Sequence, residues 1–193
     1  NIINRSPPER YRHAIVCLTD ATDFAKRITV PGVDVIQLHK KPGHDWGLYF
    51  RLLKVLFSLK PDIVHTRNLT SLEMQALTLL LPGVKRVHGE HGRDVNDLDG
   101  TNKKYNYLRK LLRFFIHRYI TVSKDLEHWL KEIINVPALK VRQIYNGVDS
   151  EKFHPNQALR EQITPGGFLS GGSIVVGTVG RIAEVKNQKL LVD

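Results

Sequence analysis

From residue 13 to residue 179 the chain repeats one alternation, a short run rich in Val and Ile followed by a longer stretch with apolar residues every three or four positions. The short runs at 13–18, 33–38, 62–65, 84–90, 118–122, 141–144 and 173–179 read as strands. They are mostly continuous rather than alternating in polarity, as expected of strands covered on both faces. The stretch 47–60 carries Leu48, Leu52, Val55, Leu56 and Leu59, one helical stripe, and 69–81, 103–117 and 123–134 follow the same logic. Ser123 stands ahead of a helix with Asp125 and Glu127 in its first turns, a good N-cap. Strand–helix–strand alternation implies parallel strands joined by right-handed crossovers, an α/β doubly wound sheet. Such sheets bind ligands at the carboxyl ends of their strands, so 91–100, Ser123 and 180–186 fall on the working edge.

A hydrophobic fraction of 41% supports a packed core. The lone cysteine, Cys17, lies in an apolar run and reads as a core residue; with no second cysteine there is no disulfide framework, which fits a reducing compartment. No run approaches a membrane span and the start carries no secretory signal. A formal net charge of +10 favours anionic partners such as nucleotide phosphates, acidic headgroups or nucleic acid, or simply a solvated basic surface. Residues 150–172, with Pro155, Pro165 and paired glycines, are the linker-like stretch, giving an N-terminal domain at 1–149 and the start of a second at 173–193. Asn1 falls in what reads as a helix end, and the helical pattern at Leu190, Leu191 and Val192 is just beginning, so a piece of a longer protein is expected.

Three segments carry chemistry. In 177–187 a strand ends in glycine, and a loop with Arg181 and Lys186 leads into a helix. Gly180 lets a ligand approach the backbone, and the two cations would clamp a diphosphate, each charged hydrogen bond contributing roughly 1.5–3 kcal/mol. The alternative is an ordinary strand–turn–helix with solvated cations. Ile144-Tyr-Asn146-Gly147-Val-Asp149 reads as a tight turn with positive φ after a strand. His91, between small residues just past a strand, can approach a substrate closely or be a hydrogen-bonded loop residue. A metal is not expected: strand alternation turns His88 and His91 to opposite faces, and no cluster completes a zinc site. The pair Asp97 and Asp99 reads as a solvated acidic turn, and the loop around Gly100 lacks calcium-loop spacing. Dinucleotide, nucleophile-elbow and P-loop signatures are absent. The basic stretch 103–118, with Leu108, Leu111, Leu112 and Phe115, would suit either a sheet-covering helix or an anionic membrane surface.

In this order the pieces resemble the retaining, nucleotide-sugar-dependent glycosyltransferases of family 4, which have the GT-B fold of two facing Rossmann-like domains. The match is carried by Lys60-Pro-Asp-Ile-Val-His65-Thr66, Glu90-His91-Gly92, Ile120-Thr-Val-Ser123, Tyr145-Asn146-Gly147-Val-Asp149 with Phe153 and Pro155, and Gly177-x-x-Gly180-Arg181 through Lys186-Asn187. The stretch 90–101 is most similar to transferases of bacterial exosortase and exopolysaccharide systems. The resemblance implies that Gly180, Arg181, Lys186 and Asn187 hold the donor diphosphate without a metal or other cofactor, and that Arg181 and Lys186 stabilise the departing nucleotide. It puts His91 beside the donor sugar, Ser123 near the interdomain cleft and donor, and Asn146, Gly147 and Asp149 in the domain crossover. The family's first strand would precede Asn1 and its paired glutamates would follow Asp193, so this chain alone is expected to be inactive. The expected partners are a nucleotide-sugar and a lipid-linked or glycan acceptor, in the cytoplasm or at the inner face of a bacterial membrane, without nucleic acid. The competing readings are a non-catalytic basic module that binds nucleic acid or membrane, and another GT-B enzyme such as a nucleotide-sugar epimerase.

Overall fold

The computed structural model describes residues 2–94, 97–155, 176–182 and 186–191. The chain divides into two compact units, Asn1–Asn146 and Gly147–Asp193. The first unit runs α1 (Ile2–Arg5), β1 (Ala14–Cys17), β2 (Asp34–Gln37), α2 (Trp46–Leu59), β3 (Ile63–Arg67) and α3 (Leu69–Leu72). It continues through β4 (Lys85–Glu90), α4 (Lys103–Leu112), β5 (Arg118–Thr121), α5 (Lys124–Glu132) and β6 (Val141–Gln143). Every strand pair is parallel, in two groups: β1–β2, and β3–β4–β5–β6 in chain order. The first six expected strands therefore form, with ends shifted by one or two residues.

The helices begin and end where local chemistry satisfies their terminal backbone groups. Asp45 caps α2 by accepting from the Leu48 amide at 3.2 Å, and also accepts from the Lys41 amide and Arg51. The Lys41 amide first, then Arg51, hold its carboxyl down at about 2. Lys60 ends α2 in the left-handed region at φ 47°. The α4 helix stops at Leu112, short of the expected 117, because the chain is drawn into the sheet. The His117 amide donates to the Arg86 carbonyl at 2.9 Å, and Lys140 Nζ ties the carbonyls of Arg113 and Ile116. The expected helix at 69–81 divides into α3 and a 3-10 helix, Glu73–Leu80. There the Thr78 hydroxyl donates back to the Gln75 carbonyl, supporting the tighter turn.

The register puts each strand residue on one of two faces. One row, Thr66, His88, Tyr119 and Val141, crosses all four strands and packs under the helices. Leu72, Leu112, Ile116, Tyr119, Leu126, Trp129 and Leu130 close a core there, and a second core joins α2 to Leu38, Met74, Leu81 and Val84. The opposite row holds Arg67, Gly89, Ile120 and Arg142. On this face Ile63, His65 and Arg67 of β3 are exposed, Ile63 to 57%. The expectation of strands covered on both faces fails for β3. Right-handed crossovers that advance strand by strand in one direction place their helices on one side of the sheet. Cys17, expected in the core, is half-buried at the end of β1, which among the described residues pairs with β2 alone.

In the second unit, residues 176–179 form no strand, and residues 173–175 lie outside the described residues. A parallel strand needs a neighbour for its ladder, and among the described residues none pairs with this run. Much of the expected linker, 156–172, is likewise outside the described residues. No described helix is long and apolar enough to cross a membrane.

Candidate active site

Because β3 to β6 are parallel, their carboxyl ends lie on one edge of the sheet, and His91 leaves that edge directly after β4. Its backbone is fixed from the neighbouring strand. The Asn68 amide donates to the Gly89 carbonyl at 2.8 Å, and the His91 amide donates to Asn68 Oδ1 at 2.9 Å. Asn68 achieves this with φ at 59° and ψ at 171°, a strained backbone outside the left-handed helical region.

Beside the ring, Arg67 lays its guanidinium along the imidazole, with Nε 3.2 Å from Nε2 and Nη2 2.9 Å from Nδ1. A neutral imidazole offers one acceptor nitrogen, so only one of these contacts is a hydrogen bond at a time. Burial and then the Arg67 charge push the His91 pKa below its ordinary value. That shift favours the neutral imidazole. His65, on the same face, is pushed down by burial and by Arg67, His91 and His88. Gly89 makes this crowding possible, since a Cβ there would lie 2.8 Å from His91 Nε2 and 3.1 Å from His65 Nε2.

Under the opposite face a polar chain anchors the same strand. Gln75 donates to Thr66 Oγ1 at 2.9 Å and to the Val87 carbonyl at 2.8 Å, and Thr66 Oγ1 meets His88 Nδ1 at 2.8 Å. His88 Nε2 lies 3.4 Å from Glu90 Oε1, which accepts from Arg109 Nε at 2.8 Å. Burial alone would raise the Glu90 pKa, but His88 and Arg109 outweigh it, and the carboxylate is held below its ordinary value. Arg109 also lies over the Trp129 ring at 4.8 Å, and Trp129 Nε1 and Asn106 both donate to the Gly100 carbonyl. Gly100 has φ at 68°, and a Cβ there would be 2.7 Å from Trp129 Nε1. Thus α4, α5 and the loop between β4 and α4 all bear on the strand that delivers His91.

The other expected site residues have separate placements. Ser123 is half-buried at the same sheet edge and caps α5, accepting from the Leu126 amide at 3.2 Å. Asn146 and Gly147 are exposed and lack the positive φ expected of a tight turn. The chain instead runs on extended from β6, with the Ile144 amide paired to the Thr121 carbonyl. Asp149 accepts from the amides of Glu151 and Lys152, each at 3.2 Å. Gly180, Arg181, Lys186 and Asn187 are exposed, and Gln188 holds the Arg181 carbonyl at 2.7 Å. The expected strand–loop–helix cradle is not formed among the described residues: after Asn187, at φ 44°, comes only the 3-10 helix Gln188–Leu191. Residues 183–185 lie outside the described residues. Among the described residues no three His, Cys, Asp or Glu side chains form a metal cluster.

Sequence reasoning missed Arg67, Asn68 and the Glu90–Arg109 pair. The available signal was the placement of Arg67 and Asn68 directly after the predicted strand 62–65.

These features define a parallel α/β domain of Rossmann-like type with its polar site at the carboxyl edge of the sheet. Residues 2–152 match the family described as Glycosyltransferase Family 4, and the chain belongs to that family. Its fold is similar to that of Anabaena Alr3699/HepE, solved in complex with UDP and glucose, with a TM-score of 0.57 at 16% identity. The similarity covers 77% of this chain and 42% of that one, so the chain spans less than half the length of HepE. No curated protein matches the chain in sequence.

Proposed function

We propose that the whole protein is a nucleotide-sugar-dependent glycosyltransferase, with this chain as its acceptor-side portion. It would move a sugar from a nucleotide-diphosphate donor to a lipid-linked or glycan acceptor in bacterial polysaccharide biosynthesis, with retention at the anomeric carbon and without a metal. The observation that carries this reading is His91, fixed by its backbone at the carboxyl edge of the sheet and set against Arg67, whose charge favours the neutral imidazole. In that state the ring can donate or accept a hydrogen bond at the donor sugar without placing a second cation against Arg67. As the glycosidic bond breaks, negative charge grows on the diphosphate, so Arg181 and Lys186 would stabilise the transition state more than the ground state. Gly180 and Asn187 would line the phosphates, Ser123 would face the donor, and Asn146, Gly147 and Asp149 would carry the crossover between domains.

The outward face of α4 supports a peripheral site at an anionic membrane. Tyr107 and Leu111 are exposed on α4 and Phe114 in the turn just past its end, with Lys103, Lys104 and Lys110 around them. An enzyme with a lipid-linked acceptor would work in the cytoplasm at the inner face of the membrane.

The test is transfer by the whole protein from a panel of nucleotide sugars, with product stereochemistry read by NMR. The expected result is a retained anomeric centre, activity that persists in a chelator, and losses of about a hundredfold or more in His91→Ala, Arg181→Ala and Lys186→Ala. Full activity in all three variants would overturn the assignment, and an epimerised free nucleotide sugar would replace it with the epimerase reading.

A further inference from the structure

The exposed face of β3 and β4 carries three nitrogen-rich side chains around a residue that has none. His65, Arg67 and His91 surround Gly89, and the register places Arg67 directly beside it. A side chain at position 89 would strike both imidazoles, so glycine lets the two rings close over a buried stretch of backbone. Arg67 is exposed, and no carboxylate among the described residues lies within ion-pair distance of it. The more buried arginines of this unit are engaged by the protein: Arg51, Arg93 and Arg109 pair with Asp45, Asp125 and Glu90, and Arg86 and Arg113 donate to the Phe115 and Ile134 carbonyls. The side-chain contacts of Arg67 are to the His91 ring, a weak and single acceptor, which leaves most of its five N–H donors without a partner among the described residues. The Arg67 backbone is pinned by the Ser71 hydroxyl, which accepts from the Arg67 amide at 2.9 Å and donates to the Arg67 carbonyl at 2.7 Å.

An exposed guanidinium without a carboxylate partner, at the carboxyl edge of a parallel sheet and beside two imidazoles, has the chemistry of a phosphate receptor. We infer that Arg67 is a phosphate-binding residue, the cation of a subsite bordered by the rings of His65 and His91. The inference deepens the transferase reading and rests on it for the identity of the phosphate. That group is either on the nucleotide donor or the one linking a lipid acceptor to its glycan. In either case a single oxyanion at Arg67 would sit beside the imidazole of His91, joining the basic residue and the proposed sugar-facing residue in one subsite.

The test is titration of the 193-residue chain with inorganic pyrophosphate, followed by amide chemical shifts. The expected result is saturable shifts at Gly89 and His91. Arg67→Met should weaken binding by about tenfold or more, Arg67→Lys should recover part of it, and Lys54→Met should leave it unchanged. Circular dichroism would check that each variant is folded. Equal weakening by Arg67→Met and Lys54→Met would mean a generic effect of basic charge and would overturn the inference, as would shifts confined to residues outside the Gly89 face. Repeating the titration with UDP and with a short prenyl phosphate identifies the source: the ligand whose affinity depends on Arg67 is the natural one. The readout is binding, so an inactive whole protein would sink the transferase reading without touching this result.

Discussion

His91 and Arg181 each follow a Val-bearing run that ends near glycine, yet the two segments differ in everything that holds them. Before His91, β4 is paired on both sides, and its side chains alternate between a buried polar chain and the Gly89 face. Before Arg181, residues 176–180 are exposed throughout and pair with no strand among the described residues. One segment is held in place by long-range partners: Gln75, Asn68, Arg109 and Trp129. The other has the Gln188 side chain at one carbonyl. The same local grammar gives a rigid site only where neighbours supply the ladder and the burial.

The largest expected effect comes from breaking an anchor on the His91 side. Arg109→Met leaves the buried Glu90 carboxylate without its cation and should destabilise the chain by about 3–5 kcal/mol in urea unfolding. Arg181→Met, on the exposed segment, should stay within about 0.5 kcal/mol of the parent. Equal effects would erase the distinction.

A pair of glycines sharpens it further. Gly89→Ala places a Cβ 2.8 Å from His91 Nε2 and should cost about 1–3 kcal/mol. At Gly180 the nearest atom to a new Cβ is Gln188 Nε2 at 3.9 Å, so Gly180→Ala should be neutral or slightly stabilising. Ser123→Ala removes the cap of α5 and should cost about 1 kcal/mol, read in the same denaturation assay.

The smallest effect is on pH. His65 and His91 both have folded pKa values below the ordinary histidine value. The unfolded chain therefore binds protons first, and their neutral-state contribution is full above pH 6.5 and lost as pH falls through the folded values. Stability should decline in that window, and His65→Gln with His91→Gln should flatten the decline.

The order and parallel character of six strands could be read from their Val and Ile runs and the helical stripes between them, because those patterns are local. Periodicity does not count helices on each face, which is why the exposure of Ile63 and His65 was not foreseen. His91 was legible because a histidine among small residues after a strand is an uncommon local pattern. The partnership of Glu90 with Arg109 joins residues far apart in sequence and exists only once α4 lies over the sheet. Arg67 was overlooked because a basic residue after a strand is ordinary until its lack of a carboxylate is seen. The 3-10 helix Glu73–Leu80 follows from one hydroxyl bonding back to a carbonyl, which an apolar stripe does not encode.

Native-state hydrogen exchange of the 193-residue chain compares the two segments most directly. The amides of residues 87–90 should exchange only through global unfolding, while those of 176–182 should exchange at nearly unprotected rates. Comparable protection in both segments would contradict the account, because the Arg181 loop would then be as firmly built as the strand that delivers His91.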